Sequence, residues 1–280
     1  MLLEAKPYID KKIIELEDRV KKIPRPVCIA IIRVGNDEAS RKYVNNKIKM
    51  CEKVGIVSKT FCFCKDVEEN VVSHTIMQLN NDIEVDAILL QLPLPKHLNE
   101  NRLIEQILPK KDVDGFTSKN LGKLFLNEEC NIACTPRGII NLLKFYNIQL
   151  KGKDVLIINR SNIVGKPLVH LLLREDATVT IAHSKTEFLT SKIYDYDIVI
   201  TAVGLPSFLD MYSFSDNTTI VDVSINFDNN GKICGDIDKG SYEQLMNTKC
   251  CNITPVPGGV GPMTVMSLIE QTIEIAEKRL

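Results

Sequence analysis

An excess of charge of either sign is missing from this chain: 35 Lys and Arg stand against 36 Asp and Glu over 280 residues, a formal net charge of -1. That balance gives no electrostatic reason to expect a nucleic-acid partner, so the cations must serve local tasks. Histidine is scarce, at four. The nine cysteines contain no Cys-x-x-Cys pair; Cys62 and Cys64 fall on one expected strand, and Cys250 and Cys251 are adjacent. An odd count without metal-ligand spacing points away from a zinc site and from a disulfide framework, and towards a reducing, cytoplasmic setting with no bound metal. No run approaches the roughly 18 continuous apolar residues of a membrane span, so no membrane partner is expected. Residues 1–12 are mixed in charge and lack a long apolar or Arg-rich amphipathic stretch, so neither a signal nor a transit peptide is expected.

What is present reads as α/β. A chain of this length exceeds the usual single core, so two domains or one large α/β unit are expected. Short apolar runs at residues 27–34, 60–64, 85–90, 154–158, 178–182, 198–202 and 219–223 alternate with helical patterns, the signature of a largely parallel sheet. The polar stretch 127–133 precedes Thr135-Pro136, where a helix can start with Pro136 at its first position, and the domain boundary is placed there. After Pro262, the residues Val265, Leu268, Ile269, Thr272 and Ala276 recur at helical spacing, which predicts an amphipathic helix burying one face.

Three segments carry chemistry. From Glu38 to Val54 no Gly or Pro interrupts, and at helical pitch Ser40, Tyr43 and Lys47 fall within roughly 40° of one another. Val44, Ile48 and Cys51 form the adjacent apolar stripe, so the Lys47 amine belongs at the edge of the core. Lost hydration there lowers an amine's pKa and makes it a usable base; a solvated lysine lying along a surface helix would show the same pattern. Gln91 is the first polar residue after the run at 85–90, at the strand end where open α/β sheets bind ligands, and Pro93 and Pro95 stiffen its exit. A glutamine there can equally satisfy loop backbone. The third segment, Lys110-Lys111-Asp112-Val113-Asp114-Gly115, is turn chemistry whose plain reading is an Asx turn before Gly115.

The second half has no Gly-x-Gly-x-x-Gly, yet the run at 154–158 leads through Asn159-Arg160-Ser161-Asn162-Ile163-Val164-Gly165 into a helical pattern. Such a turn offers backbone N–H groups and a helix end to a phosphate, with Gly165 as the close-approach glycine. NAD-binding folds place an acid at the end of the next strand, whereas an arginine suits a 2′-phosphate. Here that strand ends Ile181-Ala182-His183-Ser184-Lys185 with no acid, so Arg160 can pair with the extra phosphate of NADP and Ser184 can donate to it.

Together with Val34-Gly35, Ala39-Ser40, Phe116, Cys134-Thr135-Pro136-x-Gly138 and Thr254-Pro255-Val256-Pro257-Gly258-Gly259-Val260-Gly261-Pro262-Met263-Thr264, these segments run nearly end to end and resemble the bifunctional methylenetetrahydrofolate dehydrogenase and methenyltetrahydrofolate cyclohydrolase family. The resemblance implies two domains with a cleft between them. Residues 1–134, completed by a returning helix at 262–280, would form an α/β folate and catalytic domain; residues 135–261 would form a Rossmann-like NADP-binding domain with a parallel sheet. It implies oxidation of 5,10-methylenetetrahydrofolate with NADP, then hydrolysis to 10-formyltetrahydrofolate, in a cytoplasmic homodimer built on the second domain.

As catalytic residues it implies Lys47, Gln91, Asp114 and Tyr43, with Tyr43 along the aminobenzoyl part of folate, Asp114 on the pterin and Gln91 holding the Lys47 amine. Ser40, Pro257 and Gly258 join Tyr43 and Asp114 around folate; the stiff Pro257-Gly258-Gly259 stretch can equally be a structural hairpin loop. Asn159, Arg160, Ser161, Gly165, Ser184 and Ile225 would contact the cofactor. Two departures stand out: Asn159 and Ser224 occupy positions where the family carries glycine. Asn tolerates positive φ but adds bulk, and Ser224 would narrow the nicotinamide slot. The alternatives are a protein that is mainly a cyclohydrolase with weakened or NAD-shifted dehydrogenase activity, and a silent folate-binding homologue.

Overall fold

The computed structural model describes residues 1–279, with the side chains of Ala39 and Ser40 outside that description. The strands are β1 (Cys28–Val34), β2 (Val57–Phe63), β3 (Ala87–Leu90), β4 (Asp154–Ile158), β5 (Thr178–Ala182), β6 (Ile198–Thr201), β7 (Thr219–Asp222), β8 (Asn226–Phe227), β9 (Ile233–Cys234) and β10 (Asn252–Ile253). The α-helices are α1 (Lys6–Lys22), α2 (Glu38–Val54), α3 (Glu69–Asn81), α4 (Glu100–Glu105), α5 (Ser118–Phe125), α6 (Cys134–Phe145), α7 (Gly165–Arg174), α8 (Leu189–Ile193), α9 (Tyr242–Asn247) and α10 (Val260–Glu277). None is long and apolar enough to cross a membrane.

The chain forms two compact units, one of Asp10–Cys134 with Val265–Leu280, the other of Met1–Ile9 with Thr135–Thr264. Residues 1–9 therefore group with the second unit, whereas the sequence placed them in the first. Backbone pairing is the reason: Leu3 N–H donates to Ile253 O at 2.8 Å, Ile253 N–H to Met1 O at 2.9 Å, and Ala5 N–H to Gly258 O at 2.9 Å. Residues 262–264 also stay with the second unit. A Cβ on Gly138 would lie 2.9 Å from the Met263 carbonyl, and Thr264 donates to Thr135 across 3.1 Å, so α10 leaves this unit one turn later than expected.

In the first unit a parallel sheet runs in the order β2-β1-β3. Every residue of central β1 is buried, which is why it reads as an apolar run from Cys28 to Ile32, broken only by the buried Arg33 before Val34. Edge strand β2 begins at Val57, earlier than its apolar signal, because its register opposes Val57 to Cys28 while Ser58, Lys59 and Thr60 mask the pattern. Ala30, Ile32, Ile76, Ile88, Leu90 and Leu103 share one core cluster. Helix α10 departs from the one-faced expectation: residues 265–273 are all buried, including Ser267, Glu270, Gln271 and Thr272. Burial on all sides calls for its polar groups to be paired: the Thr272 hydroxyl donates to Leu268 O at 2.7 Å, while the buried Ser267 hydroxyl has no partner among the described residues.

The second unit holds a five-stranded parallel sheet in the order β10-β7-β6-β4-β5 and the antiparallel pair β8-β9. Strands β4 and β5 have the bounds expected from sequence, whereas β8, β9 and β10, at two residues each, are too short for a periodic signal. Leu156, Ile158, Val199, Phe214 and Ile220 sit in its core. Helix α6 starts at Cys134 and not at Pro136; the proline falls within the first turn, where its missing N–H forfeits no helical bond. Because β4 is flanked by β5 on one side and β6 on the other, the strand order reverses direction between β4 and β6. Carboxyl-end loops diverge at such a point and leave a crevice for a ligand.

Candidate functional site

In the first unit, α2 carries Tyr43 and Lys47 one turn apart. Lys47 is 4% exposed, its Nζ donates to Gln91 Oε1 at 3.0 Å, and the same nitrogen lies 4.6 Å from the centroid of the Tyr43 ring. Gln91 is held on both sides: its N–H donates to Ile32 O at 2.9 Å, continuing the β1–β3 ladder, and its Nε2 donates to Leu92 O at 2.7 Å. With the amide nitrogen committed, Oε1 can only face the amine. Burial pushes the Lys47 pKa below the ordinary lysine value, and the Asp114 carboxylate pulls the other way. Burial raises Asp114 in turn, opposed by the charge of Lys47 and by a hydrogen bond with the Cys134 thiol. Both groups are thereby drawn towards their neutral forms, which leaves the amine able to accept a proton.

The loop that presents Asp114 is braced residue by residue. The Lys111 ammonium donates to Leu79 O at 2.8 Å and Asp82 O at 2.7 Å, closing the end of α3. Asp112 Oδ2 accepts from Thr117 N–H at 2.8 Å and Asn120 Nδ2 at 2.9 Å, so the expected Asx turn is replaced by an acceptor reaching forward into α5. The Gln271 side chain of α10 donates to Val113 O and Ile132 O and accepts from Ile132 N–H. Gly115 has φ +65°, and a Cβ there would stand 2.6 Å from Asn131 O, so glycine is required twice over. Cys134 and Gln271 were not singled out from sequence. Cys134 stood in a quoted motif, but Gln271 bears on residues more than a hundred positions away and leaves no local signal.

Of the other residues expected around folate, the Ser40 side chain lies outside the described residues. Pro257 and Gly258 belong to the second unit, in the turn before α10, where Gly258 has φ +115° and its carbonyl accepts from Ala5 N–H.

At the reversal point of the second sheet, a cavity of about 460 Å³ is lined by Ile158, Asn159, Arg160 and Ser161 after β4, His183 and Ser184 after β5, Ala202, Val203, Leu205 and Phe208 after β6, and Leu189. Asn159 does not adopt positive φ and does not crowd the turn. Its Oδ1 accepts from Ser161 N–H at 2.8 Å, Ser161 Oγ at 2.7 Å and Gly165 N–H at 3.1 Å, and its Nδ2 donates to Ala202 O at 2.7 Å. The asparagine thus builds the turn from its own side chain. Gly165 and Ile225 do not line this cavity. A Cβ on Gly165 would meet Asn159 O at 2.3 Å, so that glycine lets α7 approach the strand end, while Ile225 packs near Gly261. Ser224 is 9% exposed, and its hydroxyl turns into the fold, donating to Asp236 Oδ2 at 2.8 Å. Among the described residues Arg160 forms no ion pair, and no acid lines the cavity, which fits a dinucleotide bearing a 2′-phosphate.

Comparison with known proteins places both units. Residues 3–114 match the model of the tetrahydrofolate dehydrogenase/cyclohydrolase catalytic domain, and residues 133–280 match that of the tetrahydrofolate dehydrogenase/cyclohydrolase NAD(P)-binding domain. The chain belongs to this family. Within the family it is 46% identical over 253 residues to the bifunctional protein FolD of Campylobacter hominis, covering 90% of this chain and 88% of that one. The crystal structure of the bifunctional FolD methylenetetrahydrofolate dehydrogenase/cyclohydrolase from Campylobacter jejuni superposes with a TM-score of 0.95 at 40% identity, covering 100% and 99% of the two chains. The Trypanosoma brucei dehydrogenase-cyclohydrolase, solved with NADP cofactor and inhibitor, gives 0.92 at 27% identity over 100% and 98%.

Proposed function

We infer that this chain carries both activities of its family: it oxidises 5,10-methylenetetrahydrofolate to the methenyl form with NADP and hydrolyses that product to 10-formyltetrahydrofolate. For the hydrolytic half the decisive observation is the buried Lys47 amine bonded to Gln91 at 3.0 Å. Oxidation is driven by the lone pairs of the substrate's own nitrogens, so it asks the protein for orientation and not for a base. NADP, when bound, accepts the hydride. Tyr43 packs along the aminobenzoyl part of the substrate, and the two oxygens of Asp114 accept from adjacent pterin N–H groups. Hydrolysis differs, because water adding to the methenyl carbon must shed a proton. Lys47, drawn towards its neutral form by burial and facing a cationic substrate, takes that proton while Gln91 keeps the nitrogen aimed.

In the second unit the Arg160 guanidinium forms a two-pronged pair with the 2′-phosphate and Ser184 donates to it, while Asn159 and Ser161 hold the turn on which Arg160 is carried. We read the assembly as a homodimer through this unit: β5 is an edge strand, and Ile181 on it and Leu173 of α7 are exposed, a surface that a second copy can cover. We also propose a cytoplasmic location, in keeping with nine free cysteines, several of them exposed.

The test is a spectroscopic assay on the purified chain with 5,10-methylenetetrahydrofolate and either NADP or NAD. Reduction of NADP, with NAD used poorly, followed by loss of the methenyl product to the 10-formyl form, is the expected result. A methenyl product that accumulates without faster hydrolysis than in buffer would remove the second activity, and no reduction of either dinucleotide would remove the first.

A further inference from the structure

After β6 the chain makes a tight loop, residues 202–205, in which Ala202, Val203 and Leu205 form one wall of the 460 Å³ cavity. Three consecutive N–H groups of this loop point inward, and all three meet one carboxylate. Val203 N–H donates to Asp236 Oδ2 at 2.7 Å, and Gly204 N–H and Leu205 N–H donate to Oδ1 at 3.0 Å each. The same carboxylate accepts from Thr201 Oγ1 at 2.7 Å, Ser224 Oγ at 2.8 Å and Asn226 Nδ2 at 3.1 Å. Asp236 has no exposed surface and no ion-pair partner among the described residues.

A buried carboxylate without a cation is strongly disfavoured unless its oxygens are saturated by donors. Six donors do that here, and half of them come from the loop that walls the cavity. Runs of converging backbone N–H groups are anion cradles in other folds; in this chain the anion is supplied internally, by Asp236, two residues beyond the end of β9. Ser224 ties the arrangement together: its oxygen accepts from Gly204 N–H at 3.1 Å while its hydrogen goes to Asp236, and its own N–H donates to Asp222 Oδ1 at 3.2 Å.

We propose that Asp236 is a positioning residue that preforms the 202–205 wall of the dinucleotide cavity before the ligand arrives, with Ser224 as the bridge between carboxylate and loop. The proposal rests on reading that cavity as the NADP site. A wall ordered in advance spares the dinucleotide the entropy of ordering it, so the effect belongs in affinity and not in the chemical step. Ser224, sited where the family has glycine, thereby strengthens the cofactor pocket and does not obstruct it.

The test compares the wild-type chain with Asp236→Asn and Ser224→Ala by two readouts: amide hydrogen exchange at residues 203–205 without ligand, and NADP dissociation constants from a binding titration. In Asp236→Asn an amide NH2 replaces one acceptor oxygen and faces the donors. Exchange at these amides should speed up at least tenfold, and NADP should bind about 10- to 100-fold more weakly, with KM for NADP rising and kcat at saturation nearly kept. Ser224→Ala should move both readouts in the same direction by about two- to fivefold. Should Asp236→Asn fail to fold, Ser224→Ala decides alone. Folded variants with unchanged exchange at 203–205, or with faster exchange and unaltered NADP affinity, would overturn the proposal. A wild-type chain that binds no NADP would overturn the cofactor reading instead, and the exchange measurement would still decide whether Asp236 orders the loop.

Discussion

Lys47 Nζ stands 4.6 Å from the centre of the Tyr43 ring while donating to Gln91 Oε1 at 3.0 Å, so the amine is held between an aromatic face and an amide oxygen. A ring face favours the ammonium form by about 0.5–2 kcal/mol. Burial opposes it and is the largest influence on this amine, ahead of the attraction of Asp114. Replacing Lys47 by Met keeps the stem and removes the amine. Hydrolysis of methenyltetrahydrofolate should fall about 10²- to 10⁴-fold while NADP reduction survives at least in part. Equal loss of both activities in a folded Lys47→Met protein, read from the two steady-state assays, would contradict the role given to the amine.

The pH dependence has a definite sign. An amine acting as a base works in its deprotonated form, so hydrolysis should rise with pH through the Lys47 pKa, on a limb lying below the usual lysine range near 10.4. Asp114 raises that pKa, so Asp114→Asn should move the limb to lower pH even as substrate binding weakens. A kcat profile of methenyl hydrolysis in the two proteins checks the displacement.

Arg160 lines the cavity after β4 and forms no ion pair among the described residues. Arg160→Leu should raise KM for NADP by about 10- to 100-fold, the equivalent of ~1.5–3 kcal/mol for a charge-assisted bond, and leave KM for NAD nearly unchanged. Parallel titrations of both dinucleotides measure the ratio.

Gly115 allows no side chain. Its φ of +65° and the 2.6 Å approach to Asn131 O mean that Gly115→Ala must displace either the 131–133 backbone or the loop carrying Asp114. A loss of about 2–4 kcal/mol in denaturant-induced unfolding is expected, together with a drop in hydrolysis at saturating substrate.

Burial pushes the Asp222 carboxyl up from 3.8 to about 7. A folded-state value above the unfolded one means that the stabilisation is complete below pH 3.8 and is lost as pH rises through about 7. Thermal stability should therefore carry a component that declines between pH 3.8 and about pH 7 and levels off above it, and Asp222→Asn should flatten it. Melting temperatures across that range, with and without the substitution, test the slope.

Periodicity was enough to set Tyr43 and Lys47 on one helical face, because a helix converts spacing of three and four into proximity whatever surrounds it. Gln91 was legible for a similar reason, as the first polar residue beyond a buried parallel strand. Asp236 was not, since its six donors come from residues 201–226 and nothing in Cys234-Gly235-Asp236 announces them. From sequence Asn159 showed only added bulk; in the structure its side chain is the acceptor around which the turn after β4 closes, a role that depends on the fold.

From its sequence alone this protein is an α/β chain of two units with an amine, an amide and a carboxylate set out in family order, because local propensity and repeating apolar positions depend only on near neighbours. Tertiary structure alone decided that residues 1–9 join the second unit, that residues 265–273 of α10 are buried on every face, and that the hydroxyl of Ser224 faces Asp236. Each of these depends on hydrogen-bond donors and acceptors brought together from distant parts of the chain, and burial makes such pairing obligatory without leaving any regular spacing from which it can be read.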